Sequence, residues 1–198
     1  MGENSVARMI VVSGPSGAGK TTVLRRLYEL CQLPLSPSVS ATTRPPRPGE
    51  VDGQDYHFLK DEDFQRRREN GDFIECFEVF GRGYWYGTLK DEVQRGLDEG
   101  RWVVLEIDVQ GAMRVMELYD EAITVFVTPG SEEELERRLR GRATESERAI
   151  QRRLEQAKNE LKLADRYRHQ VVNDHIDRAA REICDILNKE AEEHRNDR

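Results

Sequence analysis

The sequence predicts an α/β fold, a mainly parallel sheet with helices on both faces, and three observations carry that expectation. Short apolar β-branched runs alternate with apolar stripes at helical spacing along most of the chain, the pattern of strands joined by crossover helices. Residues Gly14-Pro15-Ser16-Gly17-Ala18-Gly19-Lys20-Thr21 spell G-x-x-x-x-G-K-T between the first strand and the first helix, the phosphate-binding loop of a P-loop NTPase core. From about Thr42 to Gly87 the alternation gives way to a stretch rich in Pro, Gly, Arg and aromatics, which reads as a small mixed α/β insertion on that core.

The elements follow in order. The first strand is Met9-Ile10-Val11-Val12, and the helix after the loop carries Val23, Leu24, Leu27 and Leu30 on one stripe. Ser38-Val39-Ser40-Ala41 is a weak strand. Inside the insertion, Tyr56 to Leu59 and Phe73 to Phe80 are strand-like, with a short helix from Asp61 between them. Leu89, Val93 and Leu97 mark a helix, Trp102 to Ile107 a buried strand, Ala112, Val115, Met116 and Tyr119 a helix, and Ile123 to Val127 a further strand. Ser131 with Glu134, and Thr144 with Glu147, are capping boxes that open the next two helices. The second of these carries Ile150, Leu154, Ala157, Leu161 and Ala164. Gly141 breaks the first just before Arg142, which suits a helical lid. His169 to Val172 is a weak strand, and Ala179, Ile183, Ile186 and Leu187 form the last helix, before a polar tail from Lys189 that is expected to fray.

A glycine-rich turn between strand and helix points backbone N–H groups inward, and the helix N-terminus adds positive potential, so the loop is expected to bind a nucleoside triphosphate. Lys20 would reach the β- and γ-phosphates, and the Thr21 hydroxyl would ligand Mg²⁺.

Composition limits the remaining function classes. The chain has 198 residues, 35% charged and 37% hydrophobic, with a formal net charge of −7, which argues against a general nucleic-acid or acidic-membrane binder. Its three cysteines, Cys31, Cys76 and Cys184, lack metal-type spacing and read as free thiols in a cytoplasmic protein. No apolar run approaches the length of a membrane span. Met1 to Val6 has no apolar signal-peptide core, and Val6 stands where myristoylation needs Ser or Thr. His57, His169, His175 and His194 are scattered and receive no role.

Arg44 and Arg47 flank the rigid pair Pro45-Pro46, which holds two guanidinium groups apart at low entropic cost and suits phosphate oxygens; a solvated basic loop is the alternative. The segment Arg44-Pro45-Pro46-Arg47-Pro48-Gly49-Glu50-x-x-Gly53-x-x-Tyr56 resembles the monophosphate-binding segment of guanylate kinases. Phe73-Ile74-Glu75, Tyr86-Gly87-Thr88, Leu105-Glu106-Ile107-Asp108-x-Gln110-Gly111, Gly141-Arg142-x-Thr144-Glu145 and Val172-Asn173-Asp174 follow in that family's order, so the resemblance runs from about Met9 to Leu187.

The resemblance implies a single domain with a core at about 1–41, 89–130 and 156–198, a GMP-binding insertion at about 42–88 and a lid at about 131–155. It implies that the GMP phosphate is held by Arg44, Arg47, Tyr56 and Tyr86, and guanine by Ser40, Glu75, Thr88 and Asp108. ATP would lie on Gly14, Pro15, Ser16, Gly17, Ala18, Gly19, Lys20, Thr21 and Thr22, with Asn173 near adenine. Lys20, Arg138, Arg142 and Arg153 would be the catalytic cations, and Mg²⁺ would come bound with ATP. Arg137 and Arg140, among several glutamates, read as a solvated helix face. Three further alternatives stay open. Thr88 also suits a helix cap, Glu75 an outward strand position, and Asp108 a Walker-B-type metal ligand. The loop Gly81 to Gly87 is two residues longer than the family pattern, so Tyr86 is placed by the Gly87-Thr88 that follows it, with Tyr84 competing. Ala143 stands where glycine is frequent in the family.

The implied reaction is ATP + GMP giving ADP + GDP, with GMP and dGMP not separated and no nucleic acid, membrane or obligatory protein partner expected. Two rivals are kept: a non-catalytic guanylate-kinase-like binding module, and a P-loop kinase for another phosphorylated small molecule.

Overall fold

The computed structural model describes residues 7–78, 83–141 and 147–196, with side chains described up to 193. In chain order the elements are β1 (Arg8–Ser13), α1 (Lys20–Leu30), β2 (Leu35–Pro37), β3 (Ala41–Thr42), β4 (His57–Phe58), α2 (Asp61–Glu69), β5 (Phe73–Glu78), β6 (Trp85–Leu89), α3 (Lys90–Asp98), β7 (Trp102–Glu106), α4 (Val109–Leu118), β8 (Ile123–Pro129), α5 (Glu132–Arg140), α6 (Glu147–Leu161), a 3₁₀ turn at Ala164–Arg166, β9 (His169–Asn173) and α7 (Ile176–Asn196). Five strands form a sheet in the order β2-β7-β1-β8-β9, and four form a second in the order β4-β3-β6-β5. Order 2-7-1-8-9 means that neighbours in space are distant in sequence, as helical crossovers require. This is the mainly parallel α/β architecture of P-loop kinases.

Packing divides the chain into two compact units. One comprises the chain up to Ile10, Ser36–Leu105 and Gln110–Ala122; the other comprises Val11–Leu35, Glu106–Val109 and the chain from Ile123. In the first, the four-stranded sheet is mixed: β3 pairs parallel with β4 and antiparallel with β6, and β6 pairs antiparallel with β5. One face of that sheet is apolar. Ala41, Phe73 and Leu89 pack there with Phe64 of α2, and Phe64 and Phe73 stack with ring centroids 4.5 Å apart. Each large side chain buried in this way contributes about 1.5–3 kcal/mol.

In the second unit, β8 and β9 pair in parallel from Val125↔His169 to Pro129↔Asn173. Helix α1 packs against α7, with Val23, Leu24 and Leu27 buried on one side and Ala179, Ala180, Ile183 and Leu187 on the other. Helices α5 and α6 share a small core of Leu135, Leu139, Ile150, Leu154 and Ala157. All three cysteines are free thiols. No helix of the described residues is long and apolar enough to cross a membrane.

Four local expectations are corrected. The weak strand at Ser38–Ala41 is two short strands, β2 and β3, on either side of Ser38, Val39 and Ser40, because the chain leaves one sheet there and enters the other. The tail from Lys189 does not fray at once: α7 runs to Asn196, extending a helix whose apolar side is already docked on α1. Ala164 is outside α6, which ends at Leu161. Thr88 does not cap α3; Leu89 holds that position with no side-chain cap, and the Thr88 hydroxyl is engaged elsewhere. Thr144 and Arg142 lie outside the described residues, as does Phe80 at the end of the expected second insertion strand.

Candidate active site

The glycine-rich loop joins the buried strand β1 to α1, whose first residue is Lys20. The Ala18 N–H donates to Pro15 O at 3.0 Å, closing a four-residue turn around Ser16 and Gly17. Gly17 has φ +92° in that turn, a conformation that needs glycine at its third position. The Lys20 ammonium folds over the loop and donates to Gly14 O at 2.7 Å. The Thr21 hydroxyl donates to Glu106 Oε1 at 2.6 Å. Glu106 ends the buried strand β7, so the carboxylate beside the threonine is Glu106 and not Asp108, the residue weighed as a metal ligand from the sequence. A hydroxyl and a carboxylate this close are hard oxygen donors of the kind that hold Mg²⁺ together with substrate phosphates. Glu106 was missed because two carboxylates close the same strand, and nothing in Leu105-Glu106-Ile107-Asp108 says which one meets the helix.

Three further side chains grip the same loop. Arg138 on α5 donates to Ala18 O at 3.0 Å, to Asn173 O at 2.9 Å and to Glu134 at 2.7 Å. The buried Asn173 side chain donates to Ala18 O at 2.7 Å, while its Oδ1, fully shielded, accepts no bond from the described residues. Arg153 on α6 donates to the Ser16 hydroxyl. Arg137 and Arg140 instead turn to Glu134, Glu136 and Glu147 on the surface, as a solvated helix face would. Arg140 holds the Glu147 carboxyl far below its usual range, at about 2.

The arginine segment is built on a tight turn. Glu50 N–H donates to Arg47 O at 3.0 Å, and Gly49 has φ +90°, the geometry of a turn with proline second and glycine third. That turn swings the Glu50 carboxylate back under its own start. It accepts from Arg47 N–H at 2.6 Å and takes a two-pronged grip from Arg44, at 2.8 and 3.0 Å. Glu50 raises the Arg44 pKa further, and Arg44 holds the Glu50 carboxyl below the usual carboxylate range. Arg44 Nε donates to the Tyr86 hydroxyl at 3.2 Å, and its guanidinium lies 5.2 Å from the Tyr56 ring centre. Tyr56 and Tyr86 meet edge to face at 5.9 Å. Arg44, Tyr56 and Tyr86 are thus one cluster, with Arg47 exposed at its rim. Glu50 is the residue that the sequence reading passed over; the turn it completes is visible only once Arg47 to Glu50 is folded.

Two of the base-side candidates, Glu75 and Thr88, share the sheet face opposite the apolar one. Glu75 pairs with Thr88 across β5 and β6, and Phe77 and Thr42 both pair with Tyr86. Glu75 reaches this face because of a bulge between Phe73 and Glu75. In an unbroken strand Glu75 would follow Phe73 into the apolar core. The Thr88 hydroxyl donates to Glu75 Oε1 at 2.6 Å, and both residues are buried. Ser40 is half-buried, and its carbonyl accepts from His57 N–H at 2.9 Å. Asp108 falls in the other unit, with the loop, where it and Glu160 sit near the buried Tyr167 hydroxyl.

A glycine-rich loop closed over by its own lysine, at the C-terminal end of the central strand of a mainly parallel sheet, places the chain among the P-loop kinases. A family profile described as guanylate kinase matches residues 6–190. A guanylate kinase of Rhodopirellula baltica is 56% identical over 181 residues, covering 91% of this chain and 87% of the relative. One of Caldanaerobacter subterraneus is 46% identical over 179 residues, covering 90% and 85%. The solved guanylate kinase of Anaplasma phagocytophilum superposes with a TM-score of 0.77 at 35% identity, covering 94% of this chain and 87% of that one. The chain belongs to the guanylate kinase family.

Proposed function

We propose that this chain transfers the γ-phosphate of ATP to GMP, giving ADP and GDP, and that its two clusters divide the work. The observation that carries the guanine assignment is the buried Glu75–Thr88 pair on a polar sheet face. Guanine's N1–H and N2–H₂ are adjacent donors, and a carboxylate accepts from both. Adenine would set a bare N1 acceptor against the same carboxylate, and sites built on such hydrogen bonds discriminate by factors of order 10⁴–10⁵. The Thr88 proton is given to Glu75, so Thr88 offers guanine an acceptor, and Ser40 is the hydroxyl left to donate to O6. Arg44, Arg47, Tyr56 and Tyr86 hold the monophosphate, with Glu50 aiming the Arg44 fork.

In the second unit, the loop from Gly14 to Thr22 cradles the triphosphate, with Asn173, which donates to Ala18 O, near the adenine end. Thr21 and Glu106 would hold Mg²⁺, which supplies charge neutralisation on the phosphates when bound. A GMP phosphate oxygen attacks the γ-phosphorus in line. Phosphate monoesters have a second pKa near 6, so the nucleophile needs no general base at pH 7. Lys20, Arg138, Arg142 and Arg153 neutralise the charge that develops, and their positioning is most of the catalysis.

A coupled assay of ATP consumption with GMP, AMP and ribose 5-phosphate tests this reading: GMP should be used at least a thousandfold more efficiently than either. Comparable use of ribose 5-phosphate would make the chain a kinase for another phosphorylated compound, and no turnover with any acceptor would make it a binding module.

Of the two competing tyrosines, Tyr86 accepts a hydrogen bond from Arg44, whereas Tyr84 precedes β6 and is exposed. Tyr86→Phe should raise KM for GMP about tenfold, the cost of one hydrogen bond to a charged group, with Tyr84→Phe within twofold of the parent. A larger effect at Tyr84 would reverse the assignment.

A further inference from the structure

Helix α5 is docked on the phosphate loop. Leu135 and Leu139 are buried, and a β-carbon at Gly17 would stand 3.0 and 3.1 Å from their methyl carbons. Arg138 lies beside them on the helix, one turn after Glu134. Its guanidinium spans three acceptors. Nη1 donates to Ala18 O at 3.0 Å, Nη2 to Asn173 O at 2.9 Å, and Nε to Glu134 Oε1 at 2.7 Å. One carbonyl belongs to the loop and the other ends β9, so a single side chain ties both to α5. A β-carbon on Gly19 would come within 3.3 Å of the same Nη1, so the fork rests on the loop backbone where there is no side chain. An arginine carries five N–H bonds in one plane, and these contacts take three. Glu134 is itself well fixed. Its N–H donates to Ser131 Oγ at 3.2 Å at the cap of α5, and its side chain is three-quarters buried. Arg137 grips the carboxylate from the exposed side, with Nη2 2.6 Å from Oε2. Arg137, and then Arg138, hold the Glu134 carboxyl below its usual range, so it is a full anion at neutral pH.

We infer that Glu134 is a positioning residue for Arg138: by holding Nε from one helical turn away, it sets the guanidinium across Ala18 O and Asn173 O and so fixes how that cation meets the triphosphate. Glu134 touches no reacting atom. The two neutral carbonyls hold only the tips of the fork, and the charged hydrogen bond at Nε is the stronger restraint on its orientation. A surface ion pair of the same spacing, such as Arg140 with Glu136, would steady the helix and leave turnover alone. The difference is that Arg138 reaches past the helix to the loop, whereas Arg140 ends on other side chains.

The inference rests on the reading of Arg138 as one of the cations that neutralise the transferred phosphoryl group. Its test is a double-mutant cycle on the full chain: the parent, Glu134→Ala, Arg138→Met and the two changes together. For each, kcat is measured at saturating ATP and GMP, with KM for GMP and a thermal melt alongside. Glu134→Ala should lower kcat at least tenfold and keep KM for GMP within twofold, because the Arg44 cluster is untouched. Arg138→Met should lower kcat at least as far. In the Arg138→Met background, Glu134→Ala should change kcat by less than twofold, since Glu134 acts only through Arg138. Arg137→Ala removes the exposed partner of the same carboxylate and should leave kcat within twofold of the parent. An impaired Arg138→Met beside a normal Glu134→Ala overturns the inference. So does an equal loss from Glu134→Ala in both backgrounds, which would mean that the carboxylate acts on something other than Arg138. If Glu134→Ala does not fold, Glu134→Gln is read in the same two backgrounds: a loss of at least threefold only where Arg138 is present supports the inference, and any other pattern overturns it. A parental kcat in Arg138→Met would instead remove Arg138 from the reaction, and the inference with it. A parent protein without GMP-dependent ATP consumption would refute the proposed function.

Discussion

Lys20→Ala is expected to lower kcat by 10²–10³-fold or more while the protein stays folded. Lys20 is the first residue of α1 and is partly exposed; its ammonium donates to loop carbonyls, at 2.7 Å from Gly14 O and 3.4 Å from Pro15 O. Removing it exposes carbonyls to water and opens no cavity, so the melting temperature should move by less than about 3 °C. Its catalytic loss is different in kind. A cation on the transferred phosphoryl group acts where charge develops, and losing one such group costs about 3–4 kcal/mol. The measurement is kcat with saturating ATP and GMP, alongside a thermal melt. A folded variant within tenfold of the parent would remove Lys20 from the reaction.

The second large effect is at the base. Glu75→Gln should reduce kcat/KM for GMP by tens to hundreds of fold, about 2–4 kcal/mol, and leave ATP affinity unchanged. Both Glu75 and Thr88 are buried, so a wrongly matched donor there has no water to turn to. In the glutamine variant the amide oxygen can still accept from Thr88, as Oε1 does at 2.6 Å, but the NH₂ then faces guanine's donors. AMP use should stay low or rise slightly, since the repulsion with adenine N1 is relieved. Normal GMP kinetics in a folded Glu75→Gln protein would mean that guanine is read elsewhere and that Glu75 serves only to pair with Thr88.

These two residues also mark the boundary of what could be read in advance. Lys20 stood in a contiguous motif between a strand and a helix, and its role needed only that local context. Glu75 had no such support from its own neighbours: on simple alternation it belongs with Phe73, and Phe73 is in the core. The bulge at Ile74 turns it to the other face, and a bulge is settled by the pairing of β5 with β6, not by the residues of β5 alone.

What the sequence determined by itself is what depends on near neighbours. The alternation of strands and helices, the loop, the Ser131 cap on α5, where the hydroxyl accepts from Glu134 N–H at 3.2 Å, and the order of the family's motifs all lie within a few residues of one another. What only the tertiary structure decided is which distant groups become partners. It put Glu106 on Thr21 across 85 residues, Asn173 on Ala18 across 155, and Arg153 on Ser16 across 137. It also placed Glu50 under Arg44, where a six-residue separation is bridged only because a turn with Gly49 at positive φ brings the ends together. The reason is that side-chain chemistry is carried by the residue, whereas proximity is conferred by burial. A buried carboxylate or amide must find a hydrogen-bonding partner wherever packing delivers one, and that delivery follows from the whole sheet and its helices rather than from any segment read alone.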